Sequence, residues 1–430
     1  MLHNKTLLLL PKLMQIIAVM VFIFLMRCEF DPSGIGVILL PPEDAPIADK
    51  TCSRQPQIFE DPGRLFVYHA YCCAESNQSG TENFLRVEGS LELPEYVTAA
   101  TVFLNGWRLE YLSSDHHVRG LGTSIGRISF ANQTLSWEAG GVLSDKNFDD
   151  GYRWCYYYTV IAWNEGEISA LIDHDDANIF SNDDQSHTTA VKKISGYIQN
   201  VDLSSGDPTA ILPRGYGFMW RGTVDHHLIQ LAYNLDHSDR FIEYGKEYMT
   251  NVQPSFPTPA HYVGNGFTSW ETKTIFKDDD LRREYDVGEI VSALGGRDVG
   301  IVQPPYTILP KEDVGWLTGC LYAEGGVKTE DYVVENVPFE YAIPMLTGWE
   351  LWYPCDDQHV SQVGIWLSSF SYDKAPAAAS GTLRYSISSV LADRDEKPNH
   401  GYSSQVQILG LKPTIGSGVP GLGYLSGNQR

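Results

Sequence analysis

The sequence predicts an all-β protein with little helix, built as three related β-sandwich modules of jelly-roll type in tandem. Three observations carry this expectation. Runs such as Leu65-Phe66-Val67-Tyr68, Phe84 to Leu93 and Arg153 to Trp163 are short, rich in β-branched and aromatic residues, and bounded by turn formers. Helical periodicity is sustained nowhere, the best candidates being Asp236 to Tyr248 and Asp286 to Leu294. One irregular motif recurs three times, as repeated modules require. Gly106-Trp107 precedes Asp115-His116-His117-Val118, Gly217-Phe218 precedes Asp225-His226-His227-Leu228, and Gly348-Trp349 precedes Asp357-Gln358-His359-Val360. Each copy then places an aromatic, an Asp and a Tyr downstream: Trp137, Asp145 and Tyr152; Trp270, Asp278 and Tyr285; Tyr385, Asp393 and Tyr402.

Residues 1–28 form an export signal or N-terminal anchor, because Lys5 and Lys12 precede an apolar run from Leu13 to Met26. Residues 29–50, with six Pro and Gly, read as a linker. Residues 51–170 form the first module with extra N-terminal strands, residues 171–191 an acidic linker, and residues 192–297 the second module. The second copy has the longest stretch between the histidines and the downstream aromatic, which places an insertion near residues 244–264, around Pro254, Pro257 and Pro259. Residues 298–329 are a second linker, 330–412 the third module, and 413–430 a Gly- and Ser-rich flexible tail.

Cysteine usage points to an oxidising compartment, hence a secreted or cell-envelope location. Setting Cys28 aside leaves an even six. Cys52 and Cys155 are expected to pair with the Cys72-Cys73 doublet, and Cys320 with Cys355. The formal charge of −23 disfavours nucleic acid and anionic membrane surfaces as partners. It suits divalent cations or cationic partners instead.

In an extended strand residues two apart share a face, so the Asp and the last His of each motif point the same way. As a structural pair they fix strand register. As ligands, Asp115 and His117 with Asp145, or Asp225 and His227 with Asp278, suit Zn²⁺ or Mn²⁺. Asp173, Asp175 and Asp183 of the acidic linker form a candidate oxygen-rich loop for Ca²⁺. No cofactor is required by any motif. Trp154, Tyr156 and Tyr158, together with Tyr262 and Trp270, are candidate aromatic platforms for a glycan or a surface protein. The resulting expectation is an exported β-repeat protein that binds a glycan or other surface component rather than catalysing a reaction. A metal-dependent hydrolase and a self-associating envelope or appendage subunit are the alternatives.

Overall fold

The computed structural model describes residues 47–76, 84–113, 116–145, 150–181, 191–200, 209–220, 227–237, 266–278, 285–302, 326–353, 359–393 and 400–414. The export segment, Cys320, Cys355, Tyr262, Asp183 and the expected insertion at 244–264 lie outside these residues, as does the expected tail beyond residue 414, its first residue Pro413 closing the last strand. Among the described residues no helix is long and apolar enough to cross a membrane.

The described chain is all β. Four strands precede the first repeat: β1 (Lys50–Cys52), β2 (Gln57–Asp61), β3 (Leu65–Ser76) and β4 (Leu85–Glu92). The first repeat contributes β5 (Ala99–Tyr111), β6 (Gly120–Ala131), β7 (Thr134–Ser144) and β8 (Tyr152–Trp163). Two connecting strands follow, β9 (Leu171–Ser181) and β10 (Val191–Asn200). The second repeat supplies β11 (Thr209–Trp220), β12 (Leu228–His237), β13 (Gly266–Asp278) and β14 (Tyr285–Gly295). After β15 (Val299–Val302) and β16 (Lys328–Val337), the third repeat supplies β17 (Phe339–Trp352), β18 (Gln362–Asp373), β19 (Gly381–Ala392) and β20 (Gly401–Pro413).

Pairing within each repeat is the same: first strand with fourth, second with third. The second strand of each repeat also pairs with the first strand of another, β6 with β11, β12 with β17 and β18 with β5. This cycle closes on itself. Three antiparallel sheets result, each drawing strands from two repeats. The modules are therefore joined more intimately than a row of separate sandwiches, since the link between first and second strand passes from one sheet to the next.

Two apolar layers hold the cycle together. Phe103, Leu212 and Ile343, one from each first strand, lie in one buried cluster. Farther along the same strands Trp107, Tyr216, Phe218 and Trp349 meet in the main core. Their ring centroids are 5.5 Å apart for Trp107 and Trp349, 5.4 Å for Tyr216 and Trp349, and 6.2 Å for Phe218 and Trp349. Large rings near a shared axis bury the most apolar area with few side chains.

Several expectations are corrected. Asp286 to Leu294 is strand β14, not helix. This strand is buried on both faces, so its apolar residues do not alternate and a helical spacing arises by chance. The start of the acidic linker is strand β9 at a sheet edge, paired with β14. Edge strands tolerate charge, which is why this composition reads as a loop. The linker at 298–329 likewise begins with β15, which pairs with β20, and ends inside β16.

The expected disulfides of the first module are present: Cys52 with Cys72 and Cys73 with Cys155. Both bridge directly opposed residues of neighbouring strands, β1 with β3 and β3 with β8. Adjacent cysteines on a strand point to opposite faces, so the doublet serves two partners.

Candidate metal centre

Each first strand carries an interruption just before its core aromatic. The β5–β8 register shifts between Leu104 and Gly106, and the β17–β20 register between Leu346 and Gly348. The residues passed over, Asn105 and Thr347, are fully buried. Asn105 bonds across to β17: its Oδ1 accepts from the Leu346 N–H at 2.8 Å and its Nδ2 donates to the Pro344 carbonyl at 3.0 Å. These bonds fix β5 against β17 where the sheets diverge. Gly106 has φ +138°, and a Cβ there would meet the Trp366 Cα at 2.2 Å. In the first copy the Gly-aromatic pair thus marks a close backbone approach that only glycine permits.

The last histidine of each motif stands shortly before the second strand of its repeat, His117 before β6, His227 before β12 and His359 before β18. These three histidines meet. One ring nitrogen from each lies within 4.8 Å of the others. The ring centroids are 4.1 Å apart for His117 and His227, 4.6 Å for His117 and His359, and 4.9 Å for His227 and His359. His117 and His227 are half-buried and His359 is exposed, so the cluster opens to solvent on one side.

Three imidazoles at this spacing can hold a divalent transition metal. Tetrahedral Zn²⁺ with bonds of about 2.0–2.1 Å sets its nitrogen ligands about 3.3 Å apart, inside the 4.8 Å within which the three ring nitrogens lie. An all-nitrogen set favours Zn²⁺, Cu²⁺ or Ni²⁺ over Ca²⁺ or Mg²⁺. His359 is absent from the ligands predicted by sequence, although the third motif copy carries it. The missed signal was that three copies can supply one site jointly, rather than one site each.

Other predicted ligands distribute differently. Asp115, Asp225 and the Asp357 of the third motif lie outside the described residues. Asp145, expected beside His117, instead groups with His116 and Asp150. The reason is the strand alternation itself: neighbouring histidines project to opposite sides, and the end of β7 lies on the His116 side. Asp278 ends β13 opposite Leu228. Asp173 and Asp175 sit on β9 opposite Ala293 and Val291, on extended backbone rather than in the wrapping loop expected for Ca²⁺.

The aromatic platform of the first module is core. Trp154, Tyr156 and Tyr158 are 0%, 1% and 4% exposed. They stack in succession, with centroids 4.9 Å and 5.3 Å apart, and Trp154 Nε1 donates to Thr123 Oγ1 at 3.1 Å. Burial pushes the Tyr156 phenol above its ordinary range. The opposite face of β8 is covered as well, Tyr157 stacking on Trp366 at 5.1 Å. Of the remaining aromatic candidates, Trp270 lies in β13 opposite Gly196 and His237.

Comparison with protein-family models, with curated proteins and with solved structures finds no match to this chain. Fold and site therefore define it only as an all-β protein of three strand-exchanging repeats with a shared histidine cluster.

Proposed function

We propose that this chain is an exported metal-binding protein in which one divalent transition-metal ion, Zn²⁺ being the best match, joins the three repeats where their histidine turns meet. The observation that carries this reading is the convergence of His117, His227 and His359, one from each repeat, with ligand atoms within 4.8 Å. A formal charge of −23 raises the local concentration of cations around the chain. Two disulfides suit the oxidising compartment that export implies.

Ligands drawn from three repeats make the ion a cross-link between sheets, consistent with binding rather than catalysis. The exposure of His359 supports a second reading. An exchangeable fourth ligand could be a donor atom of a surface component or a water activated for hydrolysis.

The test is metal content. Full-length protein stripped with chelator and dialysed against Zn²⁺ should retain one equivalent at this centre, and His227→Ala should lose it. With Co²⁺ in place of Zn²⁺, the visible spectrum should report a four-coordinate site. Retention of the same metal by His227→Ala and His359→Ala would overturn the proposal. Hydrolysis of a model ester that tracks Zn²⁺ occupancy would favour the second reading.

A further inference from the structure

His116 and His117 are chain neighbours whose side chains part company. His117 joins the central imidazoles, whereas His116 faces two carboxylates at the start and end of the β7–β8 connection. Asp145 follows the last residue of β7, and Asp150 stands two residues before β8. One ligand atom from each of His116, Asp145 and Asp150 lies within 4.8 Å of the other two. His116 Nδ1 is 3.1 Å from Asp150 Oδ2, within ion-pairing distance, and two ligands of one ion lie as close.

The imidazole is held in place by backbone and ring contacts. The His116 N–H donates to the Val360 carbonyl at 3.1 Å, and the Val360 N–H donates to the His116 carbonyl at 2.9 Å. Its ring rests on Tyr111 with centroids 4.8 Å apart. Asp145 is 5% exposed, so a carboxylate is kept largely from water beside a second carboxylate. A dication shared by two carboxylates is attracted to both, and more so away from bulk solvent.

We propose that His116, Asp145 and Asp150 bind a second divalent cation, separate from the ion of the three-histidine centre. One nitrogen and two carboxylate oxygens form a harder set than three imidazoles, and Mn²⁺ is the best match. Side-chain exposure of 22% for His116 and 21% for Asp150 leaves room for water to complete the coordination. This site belongs to the first repeat. Gln358 replaces the imidazole in the third motif, and Arg283, two residues before Tyr285, stands where the first repeat has Asp150.

The experiment uses chelator-stripped full-length protein carrying His227→Ala, so that the three-histidine centre is disabled, and follows Mn²⁺ uptake by electron paramagnetic resonance. One bound Mn²⁺ is expected. Adding Asp150→Asn should weaken it at least about tenfold, the cost of one ligand interaction of about 1.4 kcal/mol. His116→Gln, which installs the side chain of the third repeat, should do the same. Both positions are partly exposed, and circular dichroism melts would confirm that the variants fold. Uptake of Mn²⁺ unchanged by both variants, or none in their absence, overturns the proposal. If Zn²⁺ still binds His117, His227 and His359 in wild type, only the second site falls. If Mn²⁺ binds as expected while His227→Ala leaves Zn²⁺ content intact, the proposed function falls and the second site stands.

Discussion

His117 and His227 belong to different repeats, yet their rings meet edge to face with centroids 4.1 Å apart. Imidazoles this close gain more from a shared cation than from one another. Zn²⁺ is thus expected to raise the melting temperature of the stripped protein, by a linkage free energy of about 2.7 kcal/mol when free metal exceeds its dissociation constant a hundredfold. His227→Ala should abolish the rise. The double variant His117→Ala/His227→Ala should show no further loss of the metal effect, because residues ligating one ion act as a unit. Calorimetry with and without Zn²⁺ checks this. Metal binding competes with protons for the imidazole nitrogens, so the effect should weaken in acid.

The glycines of the repeated Gly-aromatic pair are expected to respond unequally to alanine. Gly106 combines φ +138° with a Cβ position 2.2 Å from the Trp366 backbone. At Gly348 the nearest obstacle is the Gln405 Cβ at 3.1 Å. Gly106→Ala should therefore cost about 3 kcal/mol or more, and Gly348→Ala about 1 kcal/mol, in urea denaturation. Equal losses would show that the close approach of β5 and β18 does not set the requirement.

That contrast marks what was legible in the sequence. Strand character, the three repeats and the two disulfides of the first module follow from local features: alternation, spacing and the opposite faces of Cys72 and Cys73. Strand exchange does not, because β6 pairs with β11 of another repeat and the alternation within a strand does not name its partner. The histidine centre was half legible. His117 and His227 stand out as ligands, but their meeting with His359 depends on closure of the strand cycle. Trp154, Tyr156 and Tyr158 were misleading for a related reason: an aromatic stripe has the same pattern whether it faces water or, as here, another sheet.

The two disulfides should contribute unequally. Cys73–Cys155 closes a sequence separation of 82 residues and Cys52–Cys72 one of 20. Restricting the unfolded chain predicts about 4.5 kcal/mol for the longer loop and about 3 kcal/mol for the shorter. Replacing Cys73 and Cys155 by Ser should lower the denaturation midpoint more than replacing Cys52 and Cys72. A reversed order would mean that the folded-state contacts of β1, not loop closure, dominate.

Acid should destabilise the fold through His69, independently of metal. This residue lies in β3 and is 4% exposed. Its Nε2 is 3.0 Å from the Leu367 carbonyl and its Nδ1 3.0 Å from Thr159 Oγ1, which also accepts from Asn105 Nδ2 at 2.8 Å. A carbonyl can only accept, so Nε2 carries the proton and Nδ1 accepts from the threonine hydroxyl. Protonating Nδ1 would turn that hydroxyl away and leave its hydrogen without this acceptor. Burial, acting against these bonds, lowers the His69 pKa to about 4. The unfolded chain then binds the proton first as pH falls, so stability is full above about 6.5, declines between 6.5 and 4, and levels off below. Across that window one such histidine contributes about 3 kcal/mol. His400, lowered to about 4 by burial and the nearby Lys328 charge, acts in the same direction. His69→Gln keeps a donor for Leu367 and an acceptor for Thr159 but cannot titrate. Denaturation in chelator at pH 7.5, 5.5 and 4.5 should therefore show a shallower decline for this variant than for wild type, with the residual slope due partly to His400. Parallel declines would remove His69 from the account.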